Sequence, residues 1–418
     1  MRYTRSLAAL AVTSVFASSA WATNGYFSHG VGQKAKGMAG VGIALPQDSL
    51  AGGTNPAGMV LVGNRLDVGV EWFRPQREAD ISGNSCGPGC SSDGNFDGND
   101  QENFFIPEFG YNRMMSDKWS LGVSVFGNGG MNSSYAPPGF PMFNGGNGNK
   151  TGIDLMQLFF VPSVSYKIND QHSIGVGVNI VGQWFRAQGL DGFKGMSSSP
   201  TKLTDNGHES SFGAGLRVGW IGKLTDRFTL GATYQTKTWM SEFDDYEGLF
   251  AEQGDFDIPE NFGAGLAFQA TPKLVFGFDI VRINYSKVKS IANGGPTTNM
   301  SGAPLGADNG LGFGWDDQTI YKLGAAYEIN PAWTVRAGWN HADNPIPNDE
   351  TLFNVLAPAT VEDHLTLGAT WTLKNKQEIT FHYMHAFDNK IKGSNSIPPG
   401  FGDGEADIKM YQDAFGIA

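Results

Sequence analysis

The sequence lacks the features that nucleic-acid-binding proteins and helical membrane proteins need. It contains 29 Lys and Arg residues against 41 Asp and Glu residues, which gives a net charge of -12 and no basic stripe to neutralise phosphates. Beyond residue 22 no apolar run approaches the roughly 20 residues of a membrane-spanning helix, and the mean hydropathy is -0.25. These absences exclude a nucleic acid as a partner and a bundle of transmembrane helices as the fold.

Motifs for catalysis and metal binding are also scarce. We find no HExxH or Walker motif. His382 and His385 are three residues apart on a predicted strand, so their side chains face opposite sides and cannot chelate one ion. The stretch Asp93–Asp97 copies the first half of a calcium loop, but its twelfth position is Phe104 instead of Glu, so the alternative is a polar turn. We predict no catalytic site, no cofactor and no bound metal, with a weak calcium site left open.

The first 22 residues have the three parts of a secretory signal peptide. Arg2 and Arg5 supply positive charge, an apolar stretch runs from Leu7 to Phe16, and Ala20-Trp21-Ala22 forms an A-x-A-type cleavage site. The apolar stretch is too short to span a membrane. We therefore predict that residues 1–22 are removed on export and that the mature chain begins at Thr23.

The two cysteines, Cys86 and Cys90, lie close together with Gly-Pro-Gly between them. Exported proteins pass through an oxidising compartment, where disulfides form and persist. A disulfide is therefore favoured over free thiols or a metal pair.

Glycine and aromatic residues are abundant, and apolar residues alternate with polar ones. There are 58 glycines, and aromatic residues make up 12% of the chain. From Leu365 to Leu373 the odd positions are apolar, while three threonines and a glycine fill the even ones. This period of two indicates a strand with one apolar and one polar or small face.

About fourteen segments between Leu66 and Gly416 follow this pattern, an even number as in bacterial barrels. Short turns, such as Ser116–Lys118, alternate with long loops rich in Gly, Asn, Asp and Pro, such as Arg74–Phe104 and Gly127–Asp154. Outer-membrane barrels have tight turns at one end and larger loops at the other, and closure satisfies every backbone hydrogen bond in lipid. We predict an all-β fold, an antiparallel transmembrane β-barrel of about fourteen strands over residues 64–418.

The polar faces of these strands would line the lumen. The charged residues predicted to point there include Glu71, Glu108, Arg217, Lys322 and Arg336. Unpaired charges would be costly in that position, so we expect them to pair with one another or with a plug.

Residues 23–63 do not alternate and contain ten glycines between Gly25 and Gly63. The tetrapeptide Asn55-Pro56-Ala57-Gly58 lies near the end of this segment. Many barrels are occluded by an internal segment. We predict that residues 23–63 form an N-terminal hatch, or plug, in the lumen.

Four motifs make the chain resemble the FadL family of outer-membrane transporters for long-chain fatty acids and other hydrophobic compounds, which includes aromatic-hydrocarbon channels. The motifs occur in the same order along the chain and are Lys36-Gly37-Met38-Ala39-Gly40, Asn55-Pro56-Ala57-Gly58-Met59, Ile258-Pro259-Glu260 and Asp343-Asn344-Pro345-Ile346-Pro347. The resemblance implies a fourteen-stranded barrel, an N-terminal hatch and a kinked third strand that opens the wall sideways.

The candidate for that kink follows the third strand, Trp119 to Phe126, which runs into Gly127 and three further small residues. Glycine inside or at the end of a strand marks a bulge or bend, and the alternative is an ordinary loop start. We expect glycine here because it tolerates unusual dihedrals cheaply. The predicted substrate-binding and exit residues are Tyr26, Phe27, Phe126, Asn128, Gly129 and Gly130.

The sequence thus predicts a channel for passive uptake of hydrophobic small molecules, fatty acids or hydrocarbons, with lateral release. A water-filled porin for polar solutes is the main alternative, followed by a surface adhesin or an outer-membrane barrel enzyme, and a plug that keeps ionic conductance small distinguishes the first two. The predicted partners are the hydrophobic substrate, outer-membrane lipid, lipopolysaccharide and the barrel-assembly machinery. We expect a monomer in the outer membrane of a Gram-negative cell.

Overall fold

Fourteen long antiparallel strands form a closed barrel in the computed structural model, which describes residues 24–85 and 91–418. The predicted signal peptide, Cys86 and Cys90 lie outside the described residues. The strands in chain order are β1 (Arg65–Ser82), β2 (Gly94–Asp97), β3 (Phe104–Met114), β4 (Trp119–Tyr135), β5 (Thr151–Lys167), β6 (His172–Gln188), β7 (Glu209–Lys223), β8 (Phe228–Gln235), β9 (Trp239–Met240), β10 (Asn261–Thr271), β11 (Leu274–Ile283), β12 (Gln318–Asn330), β13 (Trp333–Ala342), β14 (Asp363–Thr372), β15 (Glu378–Ile391) and β16 (Glu405–Ile417).

The short strands β2 and β9 pair with β1 and β7, outside the fourteen that form the wall. The wall closes where β16 pairs with β1, from Val70 opposite Ile417 to Ser82 opposite Glu405. Each of the fourteen predicted segments overlaps a different long strand, so the predicted fold class is confirmed.

The alternating sequence pattern explains which face of each strand points outward. Leu365 and Leu367 on β14 are 46% and 52% exposed, whereas Thr366 between them is fully buried. The apolar residues therefore face outward, where lipid would cover them, and the polar residues face inward. No helix in residues 24–85 or 91–418 is long and apolar enough to cross a membrane.

Several strands are longer than the sequence predicted. β1 continues to Ser82 and β4 to Tyr135, into stretches that were predicted as loops. Beyond the alternating region, β1 still pairs with β16 and β4 with β5. The apolar pattern stops because these extensions no longer face lipid, while backbone pairing continues without it.

Short helices lie in the N-terminal segment and in the long loops. The α-helical turns are Gln33–Lys36, Met59–Val62, Pro141–Asn144, Lys289–Ala292 and Thr351–Asn354, and Ala251–Gly254 is a turn whose two central residues have left-handed backbone angles. The 3₁₀ turns are Ser49–Gly53, Pro56–Gly58, Asp191–Met196, Pro200–Lys202, Asp244–Tyr246, Tyr285–Lys287 and Pro399–Phe401. We call the end of the barrel that carries the long loops the loop end.

Residues 24–63, the N-terminal segment, contact the inner face of the wall at positions where the strands carry glycine. A Cβ atom on Gly175 of β6 would lie 2.3 Å from the carbonyl carbon of Pro56, and one on Gly231 of β8 would lie 2.4 Å from the carbonyl oxygen of Ile43. Gly338 of β13 receives the backbone of the segment in the same way. Because glycine has no side chain, the backbone of the N-terminal segment can contact the wall directly at these positions.

Candidate functional site

The barrel wall is interrupted between β3 and β4. These strands pair only as far as Phe109 opposite Val125, after which β4 continues beside β5 alone. Further toward the loop end, Asn99 forms a bridge with Ser134 and closes the gap. In the described part of the wall, the stretch from residue 126 to residue 133 therefore has no β3 partner. At about 3.3 Å per residue it is about 23 Å long.

β4 is the third strand of the wall, and its bend lies where the sequence predicted a kink. The strand continues beyond the bend. A register shift between Gly127 and Gly129 marks a bulge in the pairing with β5. We expected glycine here because it tolerates unusual backbone dihedral angles. That explanation was wrong, because neither Gly129 nor Gly130 has a positive φ. Glycine is required at 129 by close approach, since a Cβ there would lie 1.9 Å from the carbonyl oxygen of Tyr26.

The start of the N-terminal segment pairs with the bent part of β4. The amide of Gly130 donates to the carbonyl of Tyr26 at 3.0 Å, and the amide of Ser28 donates to the carbonyl of Asn128 at 2.7 Å. Phe27 forms an antiparallel bridge with Gly129. The structure therefore brings together five of the six residues predicted for substrate binding and exit.

The sixth, Phe126, lies in the same stretch of β4 and faces the interior. Its ring stacks on Phe159 with centroids 5.5 Å apart. It also packs closely against Gly53 of the N-terminal segment.

Tyr26 is at the centre of a buried aromatic cluster. Its ring centroid lies 5.1 Å from Phe27, 5.6 Å from Tyr285, 6.1 Å from Trp315 and 6.3 Å from Phe256. Three polar contacts fix the cluster: the Tyr285 hydroxyl donates to the carbonyl of Asn24 at 2.7 Å, Trp315 Nε1 donates to Asn354 Oδ1 at 2.6 Å, and the backbone of Tyr26 is held by Gly130. The rings present an apolar surface with fixed positions.

An apolar cavity lies among the long loops. Its lining comes from β5, β6 and four loops and comprises Ile153, Phe185, Leu190, Phe193, Leu249, Phe250, Ser290, Leu305, Leu311, Gly312, Phe313, Phe353 and Leu356. Phe250 at this cavity lies 4.8 Å from Phe256, which in turn contacts Tyr26. A row of rings therefore leads from the loops to the N-terminal segment.

A second, smaller cavity lies at the inner side of the wall break. Its lining includes Tyr26, Trp315, Met131 and Met410. Arg77 of β1 also lines it and is buried, donating from Nη1 to the backbone oxygen of Asn132 at 2.7 Å. Arg77 thus ties β1 to β4 at the loop-end edge of the break.

The segment that carries Phe256 has an unusual backbone and a perturbed carboxyl group. Glu252 and Gln253 both have φ values of 55°, in the left-handed region that non-glycine residues rarely adopt. Burial and the neighbouring Asp257 carboxylate raise the pKa of the Asp255 carboxyl to about 7. Lys237 forms an ion pair with Asp257 at 2.8 Å.

Five of the charged residues predicted to face the lumen contact the N-terminal segment. The contacts are Glu71 with Lys36 Nζ at 2.8 Å, Glu108 with the Gln33 amide at 3.2 Å, Arg217 with the Thr54 carbonyl at 3.3 Å, Lys322 with the His29 carbonyl at 2.8 Å and Arg336 with Gln47 Oε1 at 2.9 Å. Arg217 and Lys322, together with Asp279, also line a polar cavity.

The Asn55-Pro56-Ala57-Gly58 motif joins the segment to the wall. The Asn55 side-chain amide lies within hydrogen-bonding distance of the carbonyls of Ile43, Trp220 and Ala232, at 2.8, 3.1 and 3.3 Å. Its Oδ1 accepts from the Ala57 amide at 3.1 Å and caps the turn Pro56–Gly58. Two wall serines, Ser165 and Ser173, donate to the carbonyl of Ala57 at 3.1 and 3.0 Å. Gly58 packs closely against Pro46.

The residues weighed as metal ligands lie apart. His382 is buried on the inner face beside Glu71, whereas His385 is partly exposed and contacts Asp413. Asp93 and Asp97 accept backbone hydrogen bonds in local turns. Among the described residues no three His, Cys, Asp or Glu side chains are arranged to hold a metal ion.

Sequence reasoning did not identify the residues of the loop cavity, or Phe256, Tyr285 and Trp315. Strand alternation cannot place loop residues, because loops from distant parts of the chain meet only in the folded protein. One feature of the sequence could have indicated this cavity, namely the number of Phe, Leu and Trp residues in loops that are otherwise rich in Gly and Asn. A loop that is surrounded by water has no use for such large apolar side chains.

Comparison with known proteins supports the same architecture. Residues 9–416 match the family described as "Outer membrane protein transport protein (OMPP1/FadL/TodX)". Comparison with curated protein sequences gives no match.

Several solved structures share this fold. The P. putida toluene transporter TodX is 18% identical, with a TM-score of 0.69 over 93% of this chain and 98% of TodX. A Pseudomonas aeruginosa FadL homologue is 18% identical, with a TM-score of 0.68 over 94% and 99% of the two chains. The Ralstonia pickettii toluene transporter TbuX is 20% identical, with a TM-score of 0.61 over 93% and 98%. The family match over nearly the whole chain shows that this protein belongs to the OMPP1/FadL/TodX family of outer-membrane transport proteins and is a transport channel, not an enzyme.

Proposed function

We propose that the protein takes up hydrophobic small molecules passively from the cell exterior and releases them sideways into the outer membrane through the break between β3 and β4. The single observation that carries this proposal is the row of buried rings. It leads from the loop cavity through Phe250, Phe256 and Tyr26 to the smaller cavity behind the break.

The loop cavity is suited to capture an apolar molecule from water. Its lining is apolar apart from Ser290 and backbone groups. Burial of apolar surface is favourable by about 25 cal/mol per Å². The aromatic row then offers a continuous apolar surface, so a molecule can move inward without returning to water.

Sideways release is favoured over passage along the lumen because the lumen is polar. The N-terminal segment is held there by charged contacts such as Lys36 with Glu71. An apolar molecule would lose apolar contact there and displace hydrogen-bonded groups, whereas the break in the wall leads to lipid. We propose that residues 23–63 act as the hatch that keeps this polar route closed.

The lining of the inner cavity is chemically suited to a monoaromatic hydrocarbon. Tyr26 and Trp315 offer ring faces and edges to an aromatic guest, and the thioethers of Met131 and Met410 make favourable contacts with aromatic rings. TodX and TbuX, which share the fold, are described as toluene transporters.

We also propose the cellular setting that the sequence predicts. The chain would be exported, cleaved after Ala22 and inserted by the barrel-assembly machinery. It would work as a monomer surrounded by outer-membrane lipid and lipopolysaccharide. The half-exposed apolar outer face, for example at Leu365 and Leu367, is consistent with that surrounding.

Uptake of radiolabelled toluene by a Gram-negative strain without such channels tests the proposal. Wild-type protein should raise uptake above the empty vector. Gly129→Ala should lower it by about tenfold, because the new Cβ displaces Tyr26 and breaks its hydrogen bond with Gly130. The matched control is Gly182→Ala on β6, where a Cβ would meet only side-chain atoms of Trp184 and Phe212. Wild-type uptake equal to the vector would contradict the proposal.

A photoreactive toluene analogue tests the direction of release. With lateral release, illumination should attach the probe to residues at the break, such as Met131 and the outward-facing Phe105. Attachment to Lys322 or Arg217 in the polar cavity would instead indicate passage along the lumen. Swelling of protein-containing liposomes in arabinose would favour the water-filled porin.

A further inference from the structure

We propose that a chain of three buried amide side chains, Asn128, Gln157 and Gln183, positions Phe256 relative to the bent part of β4. Phe256, the middle ring of the cargo route, and the break in the wall would then move together. This inference rests on the proposed function and assigns to Gln157 and Gln183 a role in positioning the route without touching the cargo.

The three amides link β4, β5 and β6 in one direction. Asn128 Nδ2 donates to Gln157 Oε1 at 3.1 Å, and Gln157 Nε2 donates to Gln183 Oε1 at 3.3 Å. Gln183 Nε2 then donates to the backbone carbonyl of Phe256 at 2.9 Å. Successive hydrogen bonds that point the same way polarise and strengthen one another.

All three amide side chains are buried, so each must keep its own hydrogen-bond partner. Asn128, Gln157 and Gln183 are at most 6% exposed. If one link breaks, a buried donor or acceptor is left without water to replace its partner. The amides therefore favour one relative position of the strands and of the loop residue at the end of the chain.

The two ends of the chain hold the same part of the N-terminal segment. At one end the Asn128 carbonyl accepts from the Ser28 amide at 2.7 Å. At the other end the Phe256 ring lies 6.3 Å from the Tyr26 ring. Cargo that pushes Phe256 away from Tyr26 would pull on Gln183, and through Gln157 on the bulge that opens the wall.

The bulge is joined to this chain by the backbone as well. Gly129 pairs with Gln157 in the register of β4 and β5. Gln157 therefore carries both the main-chain and the side-chain link to the bend. This makes Gln157 the second position, besides Gln183, at which the coupling can be broken.

Toluene uptake by Gln183→Leu and Gln157→Leu tests the coupling. Both variants break the chain, so both should lower uptake by roughly fivefold. The matched control is Gln318→Leu, because Gln318 is also a buried glutamine whose side-chain amide donates to a loop carbonyl, that of Asp343 at 2.8 Å. The control should transport at the wild-type rate.

Hydrogen exchange gives a second measurement that does not depend on transport. In Gln183→Leu, amide exchange should rise both around Phe256 and in Asn24–Ser28, two regions far apart in the sequence. A merely local loss of packing would raise exchange around residue 183 and Phe256 alone, and that result would overturn the inference. Gln318→Leu should raise exchange in neither region.

Combining Gln183→Leu with Phe256→Ala separates coupling from general destabilisation. If Gln183 acts through Phe256, the double variant should transport no worse than Phe256→Ala. Independent losses that multiply would contradict the inference. If wild-type protein transports toluene and Gln183→Leu transports it at the same rate, the coupling is wrong and the proposed function stands. If wild-type protein does not transport toluene, the proposed function itself is refuted.

Discussion

Replacing Asn55 by alanine should loosen the N-terminal segment from the wall and make the barrel conduct ions. The side-chain amide of Asn55 reaches two wall carbonyls, those of Trp220 and Ala232, and one carbonyl within the segment, that of Ile43. Alanine removes these contacts and the cap on the turn Pro56–Gly58.

The magnitude follows from the number of hydrogen bonds lost. An amide group has two hydrogens, so about two bonds form at one time, and each contributes about 1 kcal/mol net. A loss of about 2 kcal/mol corresponds to a roughly 30-fold change in an equilibrium constant. Openings of the segment should therefore become roughly 30-fold more frequent in Asn55→Ala.

Single-channel recording in planar bilayers measures these openings directly. Wild-type protein should show low conductance with rare openings, and Asn55→Ala should show frequent ones. Asn206→Ala is the control, because this exposed loop asparagine also donates to two carbonyls, those of Thr201 and Asp245. Equal opening frequencies in Asn55→Ala and wild type would refute the idea that Asn55 holds the segment in place.

Three further predictions concern the fold, the cysteines and the loop that carries Phe256. The purified protein should give a β-rich circular dichroism spectrum and run faster on a gel unheated than boiled, and a helical spectrum would exclude the barrel. Cys86 and Cys90 should resist alkylation until a reductant is added, and immediate labelling of both would refute the disulfide. The carboxyl of Asp255 has a pKa of about 4 in an open loop and about 7 in the folded loop. Between these two pH values the folded loop keeps a proton that the open loop releases, so the loop should lose protection from hydrogen exchange as the pH rises from about 4 to about 7. Asp255→Asn should abolish this pH dependence, and an unchanged dependence would show that another group causes it.

The sequence predicted the barrel well because lipid imposes a strict rule on its wall. One face of every strand must be apolar, so the alternation at Leu365–Leu373 and its equivalents located all fourteen strands. Strand ends were less predictable, since β4 continues past Phe126 where one edge loses its partner and its inner face covers the N-terminal segment.

The candidate site was predictable only in part. Tyr26, Phe27 and the bend of β4 came from a family resemblance together with a glycine cluster. The loop cavity, the ring of Phe256 and the amide chain depend on contacts between segments far apart in the sequence. No local pattern marks Gln157 or Gln183, because an inward-facing glutamine on a strand has the same sequence signature whether or not it has a partner.

The glycine contacts between the wall and the N-terminal segment have a consequence for how the protein can evolve. At Gly175, Gly231 and Gly338 the wall meets the backbone of the segment, which is the same whatever its side chains are. Any larger residue at one of these glycines would displace the segment, whatever side chains the segment carries. Divergent homologues should therefore keep these three wall positions small.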